Sequence, residues 1–426
     1  LNRPARFWID PTRIRKGRRL SDQTNPRVSY GQIARLFLRL SLTAFGGPVA
    51  HIAMAEDELV ERKRWLTRDH FLALVSATNL IPGPNSTEVM IHTGYVLRGI
   101  PGAILSGACF IGPAFLLTLA LSVVYVTAGT IPEVGSFLRG VSPVIVAVIA
   151  HVGWRLLRAA LRDAVLWLLF ILGTAALLWP GLNLSELVVM LAAGLLYALT
   201  KTRLPSSWSF SLFSVFPVAV RSLPDGALWW NGSSFLLPAL QTVQAAPAVL
   251  WDIFWYFLKI GSVLFGSGYV LISYIQQDVV NGFGWLTTRQ LLDAVAIGQT
   301  TPGPVLTTVT TVGYIIAGLP GAVAGTLGVF LPSFVLVILA APLIPRMRRS
   351  RFLGAFLSGV NAGVLAAILV TLLDLGNTAL RTAGSSAWSP PAILLALGAL
   401  VLLLRFKINT TWLVLAGGAA GLLAQL

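Results

Sequence analysis

Charge is what this sequence has least of: Asp, Glu, Lys and Arg together make up 11% of 426 residues, against 56% hydrophobic. With a mean hydropathy of +0.79, that scarcity excludes a water-soluble globule, whose surface alone needs a charged fraction of about a quarter. The one cysteine, Cys109, sits inside an apolar run, which rules out an intramolecular disulfide or a cysteine metal cluster and leaves a packing role. His51, His70, His92 and His151 are scattered without ligand spacing, so no metal is expected. No phosphate-binding glycine loop is present, and direct ATP hydrolysis by this chain is excluded with it. Nothing calls for a cofactor.

Long apolar runs take the place of charge. Stretches able to cross a hydrocarbon core of about 30 Å recur at Ile100 to Val126, Ala164 to Pro180, Leu184 to Thr200, Leu319 to Ile344, Phe352 to Leu375, Ala392 to Leu404 and Thr411 to Leu426. The expected fold is an all-α polytopic membrane protein. What charge there is falls unevenly, with ten Lys or Arg against two acids in the first forty residues. Beside a membrane protein such a tail is a topology signal: it keeps the N-terminus cytoplasmic and rests on anionic lipid headgroups. Nucleic-acid binding is not expected, because no domain accompanies the tail.

The chain contains itself twice. Phe45 and Gly46 align with Phe265 and Gly266, Trp65-Leu66-Thr67 with Trp285-Leu286-Thr287, and Pro82-Gly83-Pro84 with Pro302-Gly303-Pro304. After a one-residue slip, Gly94-Tyr95, Gly99, Pro101-Gly102-Ala103, Pro113 and Gly140 match Gly313-Tyr314, Gly318, Pro320-Gly321-Ala322, Pro332 and Gly359. This divides the chain into a basic tail over 1–29, a membrane half over 30–203, a linker over 204–247 and a second membrane half over 248–426. The loop from Thr127 to Glu133 lacks Lys and Arg, whereas its equivalent is the basic run from Arg346 to Arg351. Corresponding loops therefore face opposite sides, as in inverted-topology repeats, which place substrate near the bilayer midplane. Parity then makes the linker supply one crossing.

The doubled Pro-Gly-Pro breaks a helix, because proline lacks an N–H and disfavours helix in the residue before it. The expectation is that the apolar segment from His70 to Leu97 splits into two half-helices, the second opening at Pro84 with Asn85, Ser86 and Thr87. Its unpaired amides and positive dipole end favour an anion. In the second half Thr307 and Thr308 follow the break. Arg39 and Lys259 form a second aligned pair, each seven residues before Gly46 or Gly266. A cation in such a helix costs on the order of 3 kcal/mol on insertion scales unless it meets a counter-charge or reaches the interface. With few acids near Lys259, a substrate anion is the economical partner. The turn at Gly46, Gly47 and Pro48 would let backbone approach a ligand or a facing helix. Glu88, in an apolar half-helix, is a candidate for proton coupling, or equally a structural partner for Arg39 or His92.

At these residues, in particular "FGGPVAH" from Phe45 to His51, both Pro-Gly-Pro breaks and the Gly-Tyr and Pro-Gly-Ala elements behind them, the sequence resembles the chromate ion transporter family in its long two-domain form. The resemblance implies a multi-pass inner-membrane carrier that exports chromate, with sulfate as the related oxyanion, driven by the proton-motive force or by exchange. It implies that Phe45, Gly46, Gly47, His51, Phe265 and Gly266 lie with the two breaks at the substrate. Position 271 is Leu where position 51 is His, so the halves need not share the substrate equally. A homodimer is compatible with this reading. Carriers of sulfate or another oxyanion, and an anion channel, would use similar residues. An intramembrane enzyme built on His51, Glu88 and His92 fits less well, because those groups are not duplicated.

Overall fold

The computed structural model describes residues 28–45, 47–128, 131–179, 181–182, 184–202, 247–265, 268–347, 350–382, 387–406 and 408–424. The basic tail up to residue 27, almost all of the linker, and both Gly46 and Gly266 lie outside the described residues. Among the described residues the chain is helical, and its long apolar helices make it a multi-pass membrane protein.

The first half begins with α1 (Tyr30–Thr43) and α2 (Gly47–Glu56), which continues as a π-helical turn (Asp57–Arg62). Then come α3 (Arg68–Thr78), α4 (Asn85–Ala128), α5 (Pro132–Ala160), α6 (Ala164–Leu178) and α7 (Glu186–Lys201). The second half runs through α8 (Pro247–Val263), α9 (Val270–Tyr274) with its π-helical turn (Ile275–Gly282), α10 (Thr288–Thr300) and α11 (Thr308–Ala340). The short α12 (Ile344–Met347), α13 (Arg351–Ala379), α14 (Pro390–Arg405) and α15 (Thr410–Leu423) complete it.

The repeat extends to single hydrogen bonds. Each π turn closes with an amide reaching back five residues, Lys63 N–H to the Glu58 carbonyl at 3.0 Å and Phe283 N–H to the Asp278 carbonyl at 2.7 Å. Each aligned tryptophan donates its amide to an equivalent carbonyl, Trp65 to Leu59 and Trp285 to Val279. Thr67 and Thr287 then cap α3 and α10 through their hydroxyls.

Helices α4 and α11 are each a hairpin. Non-helical angles interrupt them at Arg98 and Gly99 and at Ala317 and Gly318, where both glycines take positive φ, 64° and 60°. Past the turn the chain returns along itself: Ser106 donates to the Met90 carbonyl at 2.9 Å, and Thr310 meets Thr326 at 2.8 Å. Gly94 against Gly102, and Gly313 against Gly321, leave no room for a Cβ between the limbs.

The segment from His70 to Leu97 is interrupted between α3 and α4. From His70 to Leu97 the chain does not continue across; it folds back. Phe71 and Leu74 of α3 share a buried cluster with Val89 and Met90 of α4, and Asn85 bonds Asn79 across the break at 2.8 Å. In the second half a Cβ on Gly298 would strike Thr308. The first pair of helices does the same, since Leu36, Phe37 and Leu40 pack with Ala55 and Leu59. Each half thus opens with two re-entrant hairpins. The limbs α1 and α3, of 14 and 11 residues, reach about 21 and 16 Å at 1.5 Å per residue, a little over half of the hydrocarbon core. Such irregular tips are tolerated at that depth only where protein covers them.

The halves interlock through glycine. Gly140 of α5 meets Gly417 and Gly421 of α15, and its counterpart Gly359 of α13 meets Ala193 and Gly194 of α7. Small residues at these crossings let the backbones touch, the usual basis of helix association in lipid. Cys109 packs half-buried against the cluster of α1 and α4.

Candidate functional site

Four hairpin tips converge where the halves meet, and they exchange hydrogen bonds reciprocally. The Gly83 amide donates to the Leu264 carbonyl at 2.6 Å, and the Gly303 amide donates to the Ala44 carbonyl at 3.0 Å. Ala44 and Leu264 are themselves equivalent, at the ends of α1 and α8. Each Pro-Gly-Pro tip is therefore held by the first hairpin of the opposite half. Gly83 and Gly303 both need positive φ, 143° and 104°, which a side chain resists. Pro82 is half-buried, and Pro84, Pro302 and Pro304 are buried with the glycines.

His51 stitches the first half to this junction. Its Nε2 lies 3.1 Å from the Ala44 carbonyl and its Nδ1 3.3 Å from Ser86 Oγ. The Nε2–H tautomer donates to the carbonyl and accepts from the serine, so both ring nitrogens are occupied. One carbonyl, that of Ala44, thus ties together His51 and Gly303, and through His51 the start of the helix at Ser86.

Beyond the break the two halves differ. Asn85, Ser86 and Thr87 open the helix directly, and their amides find no carbonyl among the described residues. Thr87 Oγ1 is buried and also unpartnered. In the second half Val305–Thr307 winds into a 3-10 turn, and Thr307 and Thr308 spend their hydroxyls on the Pro304 and Val305 carbonyls. Two further hydroxyls escaped the sequence reading. Ser333 Oγ stands 3.0 Å from where a Cβ on Gly83 would sit, Ser41 Oγ 3.6 Å from the same point on Gly303, and both are buried without a partner among the described residues. Glu88 is fully buried, turned onto the Gly83 tip, and neither carboxylate oxygen has a partner among the described residues.

The cations stand elsewhere, which corrects the argument that a substrate is their economical partner. Arg39 Nη1 lies 3.5 Å from Glu58 Oε1, with its side chain 63% exposed. Lys259 shares a small pocket with Asp278, Glu186 and Tyr274. Asp278 is the counterpart of Glu58, so each cation is matched to an acid that its own π turn presents. Phe45 is exposed, Phe265 packs against the main core, and Gly47 starts α2 with open space around it.

Fold and site together define a transporter rather than an enzyme: a duplicated helical membrane protein whose buried donors collect where re-entrant tips meet. The chain belongs to the chromate transporter family, whose pattern matches it twice, over residues 31–198 and 251–422. It is 32% identical over 404 residues to a chromate transport protein of Cupriavidus metallidurans, covering 94% of each chain. Against a chromate transport protein of Pseudomonas aeruginosa it is 34% identical over 405 residues, covering 93% of this chain and 92% of that one. A probable chromate transport protein of Synechococcus elongatus is 28% identical over 84% of this chain and 87% of its own. No solved structure matches the chain.

Proposed function

We propose that this protein is a secondary active carrier that exports chromate across the inner membrane, with the N-terminus cytoplasmic and the substrate held at the junction of the hairpin tips. The observation that carries the reading is the reciprocal clasp of Gly83 on Leu264 and Gly303 on Ala44. Chromate is a tetrahedral dianion with acceptor oxygens only, and it needs donors without an excess of fixed positive charge. The amides of Asn85, Ser86 and Thr87 and the hydroxyls of Thr87, Ser41 and Ser333 supply them.

Opposite insertion of the halves is supported by the packing of the return limbs. Gly107 faces Phe334, eight residues beyond its own counterpart, Thr326. Helices related by an axis along their length would meet at equal heights, so this offset favours limbs that run in opposite directions. Buried tips argue for a carrier over an open channel.

Glu88 is proposed to carry the coupling proton. A carboxylate without a partner in this setting is stable only when neutral, and an anion arriving beside it favours that form. The test is uptake of labelled chromate into everted vesicles with and without a proton gradient, competed with sulfate. Gradient-driven uptake that sulfate inhibits is expected; flux that only equilibrates would sink the carrier. Glu88→Gln should keep downhill exchange but lose accumulation by at least tenfold, and unchanged accumulation would remove Glu88 from coupling.

A further inference from the structure

A cavity of about 850 Å³ lies away from the tips, where the ends of α4 and α13 meet the starts of α5 and α10. Three guanidiniums line it, Arg139, Arg289 and Arg381, against one carboxylate, Asp293. Arg289 stands 3.8 Å from Asp293, Arg139 bonds Ser136, and Arg381 lies over the Trp388 ring. Asp293 is the one acid among the lining residues, and it answers Arg289. The balance of the lining is cationic.

Below this vestibule one face of α4 descends toward the second tip. Tyr125 donates to Asp293 at 3.0 Å, Ser122 to Thr311 at 2.8 Å and Thr118 to Thr301 at 3.2 Å. Residues 118, 122 and 125 fall on one helical stripe, and Thr301 immediately precedes Pro302. The hydroxyls form an unbroken series from the vestibule to the Pro-Gly-Pro tip over about 10 Å of helix. Among the described residues the duplicated seam shows no such series of hydroxyls. In the repeat, Val337, Ala341 and Ile344 stand where Thr118, Ser122 and Tyr125 do, and Ile81, His92 and Ala73 are the counterparts of Thr301, Thr311 and Asp293. Val337 and Ile81 lie in one apolar cluster.

We infer that the vestibule collects tetrahedral oxyanions and that the hydroxyl seam is their passage to the tips, while the equivalent apolar seam is the closed side. The inference rests on the oxyanion reading above. A cationic vestibule raises the local anion concentration. Hydroxyls that now bond one another can each turn to donate to a passing oxygen, with no fixed charge to trap it.

The test reads access rather than flux. On a Cys109→Ser background, full-length Ser122→Cys and Val337→Cys proteins in liposomes are treated with an anionic sulfonate or a cationic trimethylammonium methanethiosulfonate. Sulfate serves as the protecting ion, because chromate would oxidise the thiol. At position 122 the anionic reagent should react about tenfold faster, sulfate should slow it, and Arg289→Gln with Arg381→Gln should bring the two rates together. Position 337 should react with neither. Thr311→Cys, on the facing helix, gives the same readout should Ser122→Cys fold poorly. Equal rates of the two reagents at 122 and at 311, or equal labelling of 122 and 337, would overturn the inference and leave a plain polar zipper between helices. Chromate flux through the parent protein is measured in the same liposomes. No flux with anion preference intact supports the passage and sinks the transport reading; flux without preference sinks the passage alone.

Discussion

The two Pro-Gly-Pro tips occupy equivalent places and receive equivalent clasps, yet their surroundings have diverged. The first tip meets movable polar groups, the Glu88 carboxylate and Ser333 Oγ, while the second meets the fixed methyl of Ala114, 2.6 Å from where a Cβ on Gly303 would lie. Duplication preserved the backbone, and the chemistry was free to specialise on one side. The sharpest way to break this comparison is to add a methyl group to each tip. Gly303→Ala should cost about 3 kcal/mol, because Ala114 belongs to a packed helix that cannot yield. Gly83→Ala should cost about 1–2 kcal/mol, mostly for its positive φ, since a carboxylate terminus can turn away. Thermal unfolding in detergent checks both. Ala114→Gly should recover part of the loss in the Gly303→Ala protein and none in the Gly83→Ala protein; equal recovery would show that the tips are not separately packed.

The paired cations give the next contrast. Lys259 sits half-buried among Asp278 and Glu186, whereas Arg39 reaches Glu58 from an exposed side chain. Lys259→Gln leaves two acids facing one another and should cost about 2–3 kcal/mol, between the exposed and fully buried limits. Arg39→Gln should cost less than about 1 kcal/mol. Unfolding curves of the two variants, with apparent chromate affinity measured alongside, decide it. A large loss of affinity in either variant, without a loss of stability, would return the cation to the substrate.

A smaller effect is expected from the serines. Ser333→Ala and Ser41→Ala each remove one donor of about 1 kcal/mol, which should raise the apparent KM for chromate about fivefold and leave the unfolding temperature in place. A rise for Ser333→Ala only would mean that the first tip holds the substrate alone.

Much of this arrangement was legible in the residues. The doubled Trp-Leu-Thr and Pro-Gly-Pro elements gave the repeat, because tryptophan amides, threonine caps and proline breaks are local devices that keep their meaning out of context. The fold-back was not legible. An apolar run with a break in the middle has the same composition whether its second limb continues or returns, and only the packing of Phe71 and Leu74 on Val89 and Met90 distinguishes them. Nor did the sequence disclose the acid partners. Glu58 and Asp278 lie nineteen residues beyond Arg39 and Lys259, and the π turns that present them have no sequence signature of their own. Ser41 and Ser333 were invisible for a similar reason, since each faces a glycine of the opposite half.

The smallest effect tests the repeat against itself. Arg64 has φ of 53° and is, among the described residues, the one non-glycine with positive φ. Its counterpart is Gly284, with φ of 65°. Both follow a π turn and precede the aligned tryptophan, so the left-handed step is imposed by the geometry of the turn rather than chosen by the side chain. An L-residue there costs about 1–2 kcal/mol relative to glycine, offset in part by glycine's greater freedom in the unfolded chain. Arg64→Gly should therefore raise stability by about 0.5–1 kcal/mol, and Gly284→Arg should lower it by a similar amount. Lys63 over the Trp65 ring, 5.4 Å from its centroid, is untouched by either change. Opposite shifts of similar size in the two unfolding temperatures are expected. Shifts of the same sign would mean that the two turns, though alike in φ and in hydrogen bonding, are supported by different surroundings.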